Sequence, residues 1–157
     1  MGEPTAGQIV DNIFLSVQQV KMGGDEVGAI GAILVRDSAT TNIWVLANAT
    51  RITANQQRLG GFMQSRVAFD TTGETDGDTS IEVIAIPSYI YAVAAGALDP
   101  GDPVKLAAAG QTFELASTTD KTNGDVVGIY SRLASDGAGN NSAVATDVII
   151  LKMGYGF

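Results

Sequence analysis

The stretches GDPV (101–104), TFELA (112–116), GIYSRL (128–133) and TDVIIL (146–151) decide how this chain reads. They repeat an earlier succession in the same order: GAILV (31–35), IWVLA (43–47), GFMQSRV (61–67) and TSIEVIAI (79–86). Each copy has its own polar loop before the closing segment, around Asp76-Gly77 and around Asp136-Gly137. Trp44 with Phe113, Ser65 with Ser131 and Thr79 with Thr146 stand at a nearly constant separation. A separation that steady across three anchors is what a duplicated unit produces. The expected fold is all-β, with two similar small lobes in tandem behind an N-terminal extension. The boundaries are an arm over 1–27, a first lobe over 28–88 and a second over 89–157. Two like lobes also point away from a single catalytic cleft.

Composition supports this reading. In 157 residues, 45% are hydrophobic but only 6% aromatic, and 19 are glycine. Small residues, short apolar runs and frequent Gly, Asp and Asn suit strands joined by many turns. Each lobe alone buries a thin core, so the lobes are expected to pack on each other or on a partner. The net charge of −8 disfavours contact with phosphate backbones or an anionic membrane surface. The nine basic residues form no run. The chain contains no Cys and no His, which excludes disulfides, Cys or His zinc sites and His-dependent nucleophilic catalysis. The opening Met1-Gly2-Glu3-Pro4-Thr5 lacks a basic region followed by an apolar core, so no signal peptide is expected. No apolar run approaches the roughly 20 residues of a membrane helix.

Along the chain, residues 9–21 carry Ile9, Val10, Ile13, Phe14, Val17 and Val20 at helical spacing, with Gly23-Gly24 as a stop. Ile13, Leu15 and Val17 also alternate, so a strand is the competing reading. Either way the apolar face packs on the first lobe or docks on a neighbouring subunit. Strands are expected over 27–36, 42–47, 60–69, 80–86, 103–107, 111–116, 125–133 and 145–153. Tyr89, Tyr91 and Val93 alternate as a strand would in the segment linking the copies. Asp99-Pro100-Gly101-Asp102-Pro103 is a turn, with Pro setting one corner and Gly the positive φ that follows.

Chemistry-bearing motifs are sparse. No Ser-x-x-Lys spacing occurs, and Glu74, Asp76, Asp78, Glu82 and Glu114 read as a solvated face more than as paired catalytic carboxylates. Asp70, Glu74, Asp76 and Asp78 crowd one loop, but their spacing does not match an EF-hand. The glycine-rich 137–142 stretch lacks the Lys-Ser/Thr of a phosphate cradle. Ser65-Arg66 and Ser131-Arg132 fall at matching places, which suggests one shared structural job for the arginine. The chain is therefore expected to be no enzyme and to need no metal or cofactor.

The order AAGALDPGDPVKL (94–106), DVVGIY (125–130) and DVIILKMG (147–154) resembles the pattern of tailed-bacteriophage head-decoration, or cement, proteins. The first copy matches that pattern more weakly, through Gly61, Phe62 and Met63 and through IEVIAI (81–86). The resemblance implies β-barrel or tulip-like lobes on the outer surface of an icosahedral capsid, made in the host cytoplasm. It implies the major capsid protein as partner and further copies of the chain around a three-fold or quasi-three-fold position. Neither nucleic acid nor membrane is an expected partner. The residues expected at the capsid or subunit interface are Val10, Ile13, Phe14 and Val17, with Tyr89, Tyr91, Tyr155 and Phe157 as aromatic anchors. Competing readings are a tail-tube or head–tail joining subunit and a small β-sandwich binding module.

Overall fold

In the computed structural model, residues 17–38, 41–52, 62–84, 88–135 and 142–153 are described. They form twelve strands and one short helix. The first sheet contains β1 (Val17–Met22), β3 (Ile33–Arg36), β4 (Ile43–Leu46), β5 (Phe62–Ser65) and β7 (Ser80–Ile84). β2 (Val27–Gly28) and β6 (Phe69–Asp70) pair beside it. The second sheet contains β8 (Ser88–Val93), β9 (Pro103–Leu106), β10 (Phe113–Leu115), β11 (Gly128–Leu133) and β12 (Val148–Met153). Helix α1 (Thr118–Asn123) follows β10.

The two sheets use one pairing scheme. In the first, the order β1-β4-β3-β5-β7 returns to β1, so the hydrogen-bonded pairs close on themselves. In the second, the order is β10-β9-β11-β12-β8. Trp44 faces Arg36 as Phe113 faces Leu106, and Val45 faces Val35 as Glu114 faces Lys105. Leu34 faces Met63 as Val104 faces Gly128. Ser65 faces Val83 as Tyr130 faces Leu151. The parallel contact of Met22 with Trp44 has its counterpart in a single bridge from Ala94 to Phe113. That bridge is all that joins β8 to β10, so the second sheet is open there. The expectation of two barrels is corrected at this seam.

The outer face of the first sheet lies against that seam. Gln111, just before β10, holds Ile33 from both sides. Its Oε1 accepts from Ile33 N at 2.8 Å and its Nε2 donates to Ile33 O at 3.0 Å and to Ala47 O at 2.7 Å. On the β8 flank, Gln64 Nε2 donates to Tyr91 O at 3.0 Å. Gly110 shows how close the approach is: a Cβ there would lie 2.5 Å from the Ala47 carbonyl carbon, and its φ of +91° already favours glycine.

Strand alternation sorts the side chains into two clusters. Val20, Met22, Leu34, Trp44, Ile81 and Val83 pack together on one face of the first sheet. Ile33, Val35, Val45, Ala47 and Ile84 point the other way and join Ile90, Val104, Leu106, Phe113, Tyr130, Ile149 and Leu151 in a core shared by both sheets. Burial of each large apolar side chain contributes about 1.5–3 kcal/mol, so this shared face is a substantial part of the fold's stability.

Several sequence expectations change. Residues 17–21 are strand rather than helix, and β1 is an integral strand of the first sheet, not part of an arm over 1–27. The remainder of the 9–21 segment lies outside the described residues. Ser65 and Ser131 are not counterparts. A bulge in β11 between Tyr130 and Arg132 inserts Ser131, so Tyr130 matches Ser65. Past the bulge the register recovers, and Arg132 faces Ile150 as Arg66 N donates to Glu82 O. Their side-chain surroundings differ all the same. Arg66 lies 3.5 Å from the Glu82 carboxylate, and the corresponding position beside Arg132 is Ile150. Thr146 matches Gly77 rather than Thr79: Gly77 N donates to Met22 O at the end of β1, and Thr146 N to Ala94 O just past β8.

That last pair generates a prediction. Gly77 has φ +88° and Thr146 has φ +77°, a left-handed conformation that strains a β-branched residue. Thr146→Gly is expected to raise stability by about 0.5–1 kcal/mol, less the chain entropy that glycine adds to the unfolded state. Urea denaturation of the two proteins measures it, and a lower midpoint for the variant would contradict the account.

Candidate interaction surface

Of the eight residues expected at an interface, Val10, Ile13, Phe14, Tyr155 and Phe157 lie outside the described residues. The other three are placed by strand pairing. Val17 opens β1 opposite Ile84 and is half-buried. Tyr89 and Tyr91 sit on β8 opposite Lys152 and Ile150. Tyr89 is 43% exposed, whereas Tyr91 is half-buried and its carbonyl takes part in the contact between the sheets. Among the described residues, Tyr89 is therefore the expected aromatic that is open to a partner.

Exposed apolar side chains that the sequence did not single out lie elsewhere. Ile30 and Val67 fall on two turns joined by the bond from Gly31 N to Ser65 O, and Val27 stands on the neighbouring strand β2. Leu115 at the end of β10 and Val144 in the turn before β12 are also exposed. Single exposed apolar residues are ordinary on protein surfaces.

The carboxylates of the acidic loop accept from backbone N–H groups and a hydroxyl. Asp70 Oδ1 accepts from Thr72 N, Asp76 Oδ1 from Gly24 N and Asp78 Oδ2 from Thr75 N. Glu74 accepts from the Thr79 hydroxyl. The hydrogen bonds from Thr72 hold the Asp70 carboxyl below the usual carboxylate range. Asp78 has a direct counterpart in Asp147, whose Oδ2 accepts from Val144 N at 2.9 Å. Both are turn-closing aspartates. Among the described residues no group of three or more acidic side chains is arranged to hold a metal ion.

Two charged clusters were not foreseen. In the first, Glu26 is buried beside β2. It meets Arg51 Nη2 at 2.6 Å and accepts from Leu46 N at 3.0 Å, while Arg51 Nη1 donates to Leu46 O. Thr71 Oγ1 accepts from Glu26 N and donates to Gly23 O. At the matching place in the second half, Leu98 and Ala143 bridge with both backbone bonds and are buried without charge. An i-to-i+25 ion pair leaves no local signature, so sequence reading had no means to find it.

The second cluster joins β9, β10 and α1. Lys105 Nζ lies 3.0 Å from Asp120 Oδ1 and 3.4 Å from Glu114 Oε1. Asp120 also closes a capping box with Ser117, whose N–H and hydroxyl both donate to Asp120 Oδ2 at 2.7 Å. Ser117-x-x-Asp120 followed by Gly124 is a start and stop signal for a helix, legible in the sequence but passed over in a β-rich context. The bonds from Ser117 lower the Asp120 carboxyl to about 2, with Lys105 helping and burial opposing. The hydrogen bond to Asp120 is the largest influence raising the Lys105 ammonium above its ordinary value.

No protein-family model matches this chain, and no curated protein matches it.

Two predictions follow from the clusters. Removing one member of a buried pair strands the other charge, so Arg51→Ala is expected to cost about 3 kcal/mol. Adding Glu26→Leu to that variant should recover much of the loss, because Leu98 serves the matching place. Urea denaturation of both variants tests this, and equal stability of single and double variants would contradict it. For Asp120, the folded pKa lies below the unfolded one, so its contribution is present above pH 4 and is lost as pH falls toward 2. Asp120→Asn should flatten the stability profile across that window, and an unchanged slope would refute the assignment.

Proposed function

We propose that this chain is a non-enzymatic virion structural protein that decorates a tailed-phage head and cements it by clamping adjacent major capsid subunits. The observation that carries the reading is the placement of the three segments resembling that family. The strands drawn from them, β9, β11 and β12, lie side by side, with Gly128 facing both Val104 and Met153. The shared pairing scheme supports the finer reading of two similar small lobes in tandem, the first closed and the second open. The proposed work is mechanical. Packed DNA pushes the shell outward, and each decorating subunit that buries an interface of about 1,600 Å² opposes that push. A net charge of −8 keeps free copies from adhering to DNA.

In this reading the partners are the major capsid protein and further copies of the chain at a three-fold or quasi-three-fold position, on the outer capsid surface. Tyr89 is the described anchor. Val17 on β1 is a further candidate, and the expected anchors Val10, Ile13, Phe14, Tyr155 and Phe157 lie outside the described residues.

Gradient fractionation of the native source, with this chain detected by peptide mass, tests the proposal. Co-migration with DNA-filled heads at a copy number comparable to the shell protein is expected. Migration as free protein, or with tails alone, would overturn it. On isolated heads lacking the chain, Tyr89→Ala should weaken binding at least about tenfold, the ratio that 1.4 kcal/mol represents. Unchanged binding would remove Tyr89 from the interface.

A further inference from the structure

Asparagine followed by glycine occurs once in this chain, at Asn123-Gly124. Asn123 is the last residue of α1, and Gly124 ends the helix in a left-handed conformation with φ +78°. Both are exposed, and a Cβ built on Gly124 would meet nothing within 4 Å. The Asn123 carboxamide makes no hydrogen bond among the described residues. Gly124 N reaches back only to carbonyls of the last turn, with Lys121 O at 3.2 Å. The nucleophile and the electrophile of an intramolecular attack thus stand side by side in solvent, at a helix end where fraying costs little.

Comparable groups elsewhere among the described residues are held or screened. Asp76-Gly77 has the same spacing, but Asp76 Oδ1 accepts from Gly24 N at 2.8 Å and Gly77 N donates to Met22 O at 2.8 Å, so neither is free to turn. Asn48 Oδ1 accepts from Thr50 N and Arg51 N, and Ala49 follows it. Asn42 is exposed, but Ile43 follows it, and a β-branched side chain crowds the peptide nitrogen that would attack.

The geometry points to Asn123 as a site of spontaneous deamidation, and to modification there as the release of the hold that α1 has on Lys105. Gly124 N loses its proton to water and bonds to Asn123 Cγ, and the side-chain nitrogen leaves as ammonia. The resulting succinimide takes up water and opens at either carbonyl, to aspartate or to isoaspartate. The isoaspartyl product threads the main chain through Cβ and Cγ of residue 123, one atom longer than before. Gly124 N and Asp125 N can then no longer both reach Lys121 O and Asp120 O, the bonds that end α1. Either product adds a carboxylate at the carbonyl end of the helix, three residues after Asp120, where the helix dipole and the like charge both oppose it. Asp120 is the residue that lies 3.0 Å from Lys105 Nζ and closes the capping box with Ser117. This inference is independent of the capsid reading.

The test incubates the full chain at neutral pH and follows each asparagine by peptide mass and isoaspartate assay. A peptide covering residues 118–127 serves as the unfolded reference. Asn123 is expected to convert at least about tenfold faster than Asn42 or Asn48, with both products formed. Acetylation of Lys105 by an amine reagent should rise in the converted fraction. It should stay constant in incubated Asn123→Gln, which keeps the amide and enlarges the ring that must close. Asn123 still intact once the reference peptide has converted overturns the inference, as does conversion no faster than at Asn42. Conversion without any rise in Lys105 acetylation overturns the release of Lys105 by α1.

Discussion

The carboxamide of Gln111 stands in for a peptide group. It accepts from Ile33 N and donates to Ile33 O, as a neighbouring strand would, and adds a bond to Ala47 O. A buried backbone group left without a partner costs about 1–3 kcal/mol; Ile33 O already accepts from Ala47 N, so the group that depends on the carboxamide is Ile33 N. Gln111 answers that need from across the seam, and Gly110 lets the two backbones come close enough for it to reach. The open side of the second sheet is consistent with this. A single bridge, Ala94 to Phe113, joins the β8 side to β10, and the apolar outer face of the first sheet shares a core with the second sheet. Among the described residues the first sheet has no such open side, and its strands close on themselves instead.

The two halves solve the same local problem with different chemistry. Beside the first sheet, the buried Glu26 carboxylate is held by Arg51 and Leu46 N, and Thr71 Oγ1 accepts from Glu26 N, around a short strand pair. Beside the second, Leu98 and Ala143 do the corresponding job with apolar side chains. A buried ion pair adds little net stability over an apolar pair of similar volume, but it penalises wrong arrangements heavily. Glu26 and Arg51 therefore act mainly by fixing where the chain after β4 lies. On the opposite face the inversion runs the other way: apolar where the first half is covered, charged where the second half meets solvent.

Much of the architecture was legible in the sequence because strand alternation and turn residues leave local marks. Trp44 and Phe113 were correctly matched, since each follows a turn and enters the same face. Ser65 and Ser131 were mismatched because a bulge adds one residue without any change in hydrophobic pattern. The segment at 17–21 read as helix because Val17 and Val20 suit either period, and tertiary pairing with β7 decides it. Helix α1 carried its capping signal openly. The contact between the sheets was not legible. Gln111 looks like any polar turn residue, and its role depends on a backbone brought from far away in the sequence. The interface residues proposed from apolar character divide for the same reason: Tyr89 faces solvent, while Tyr91 two residues on lies at the contact between the sheets.

The two halves carry separate intrinsic probes. Trp44, the sole tryptophan, lies in the first sheet, and all four tyrosines lie at or beyond position 89. Urea denaturation followed at once by tryptophan fluorescence and by near-ultraviolet tyrosine dichroism therefore reads each half separately. If the shared core and the Gln111 clamp join the sheets into one cooperative unit, the two transitions coincide in midpoint and slope. Two transitions, with the tyrosine signal lost while Trp44 remains buried, would show that the first sheet stands without the second and would contradict the account.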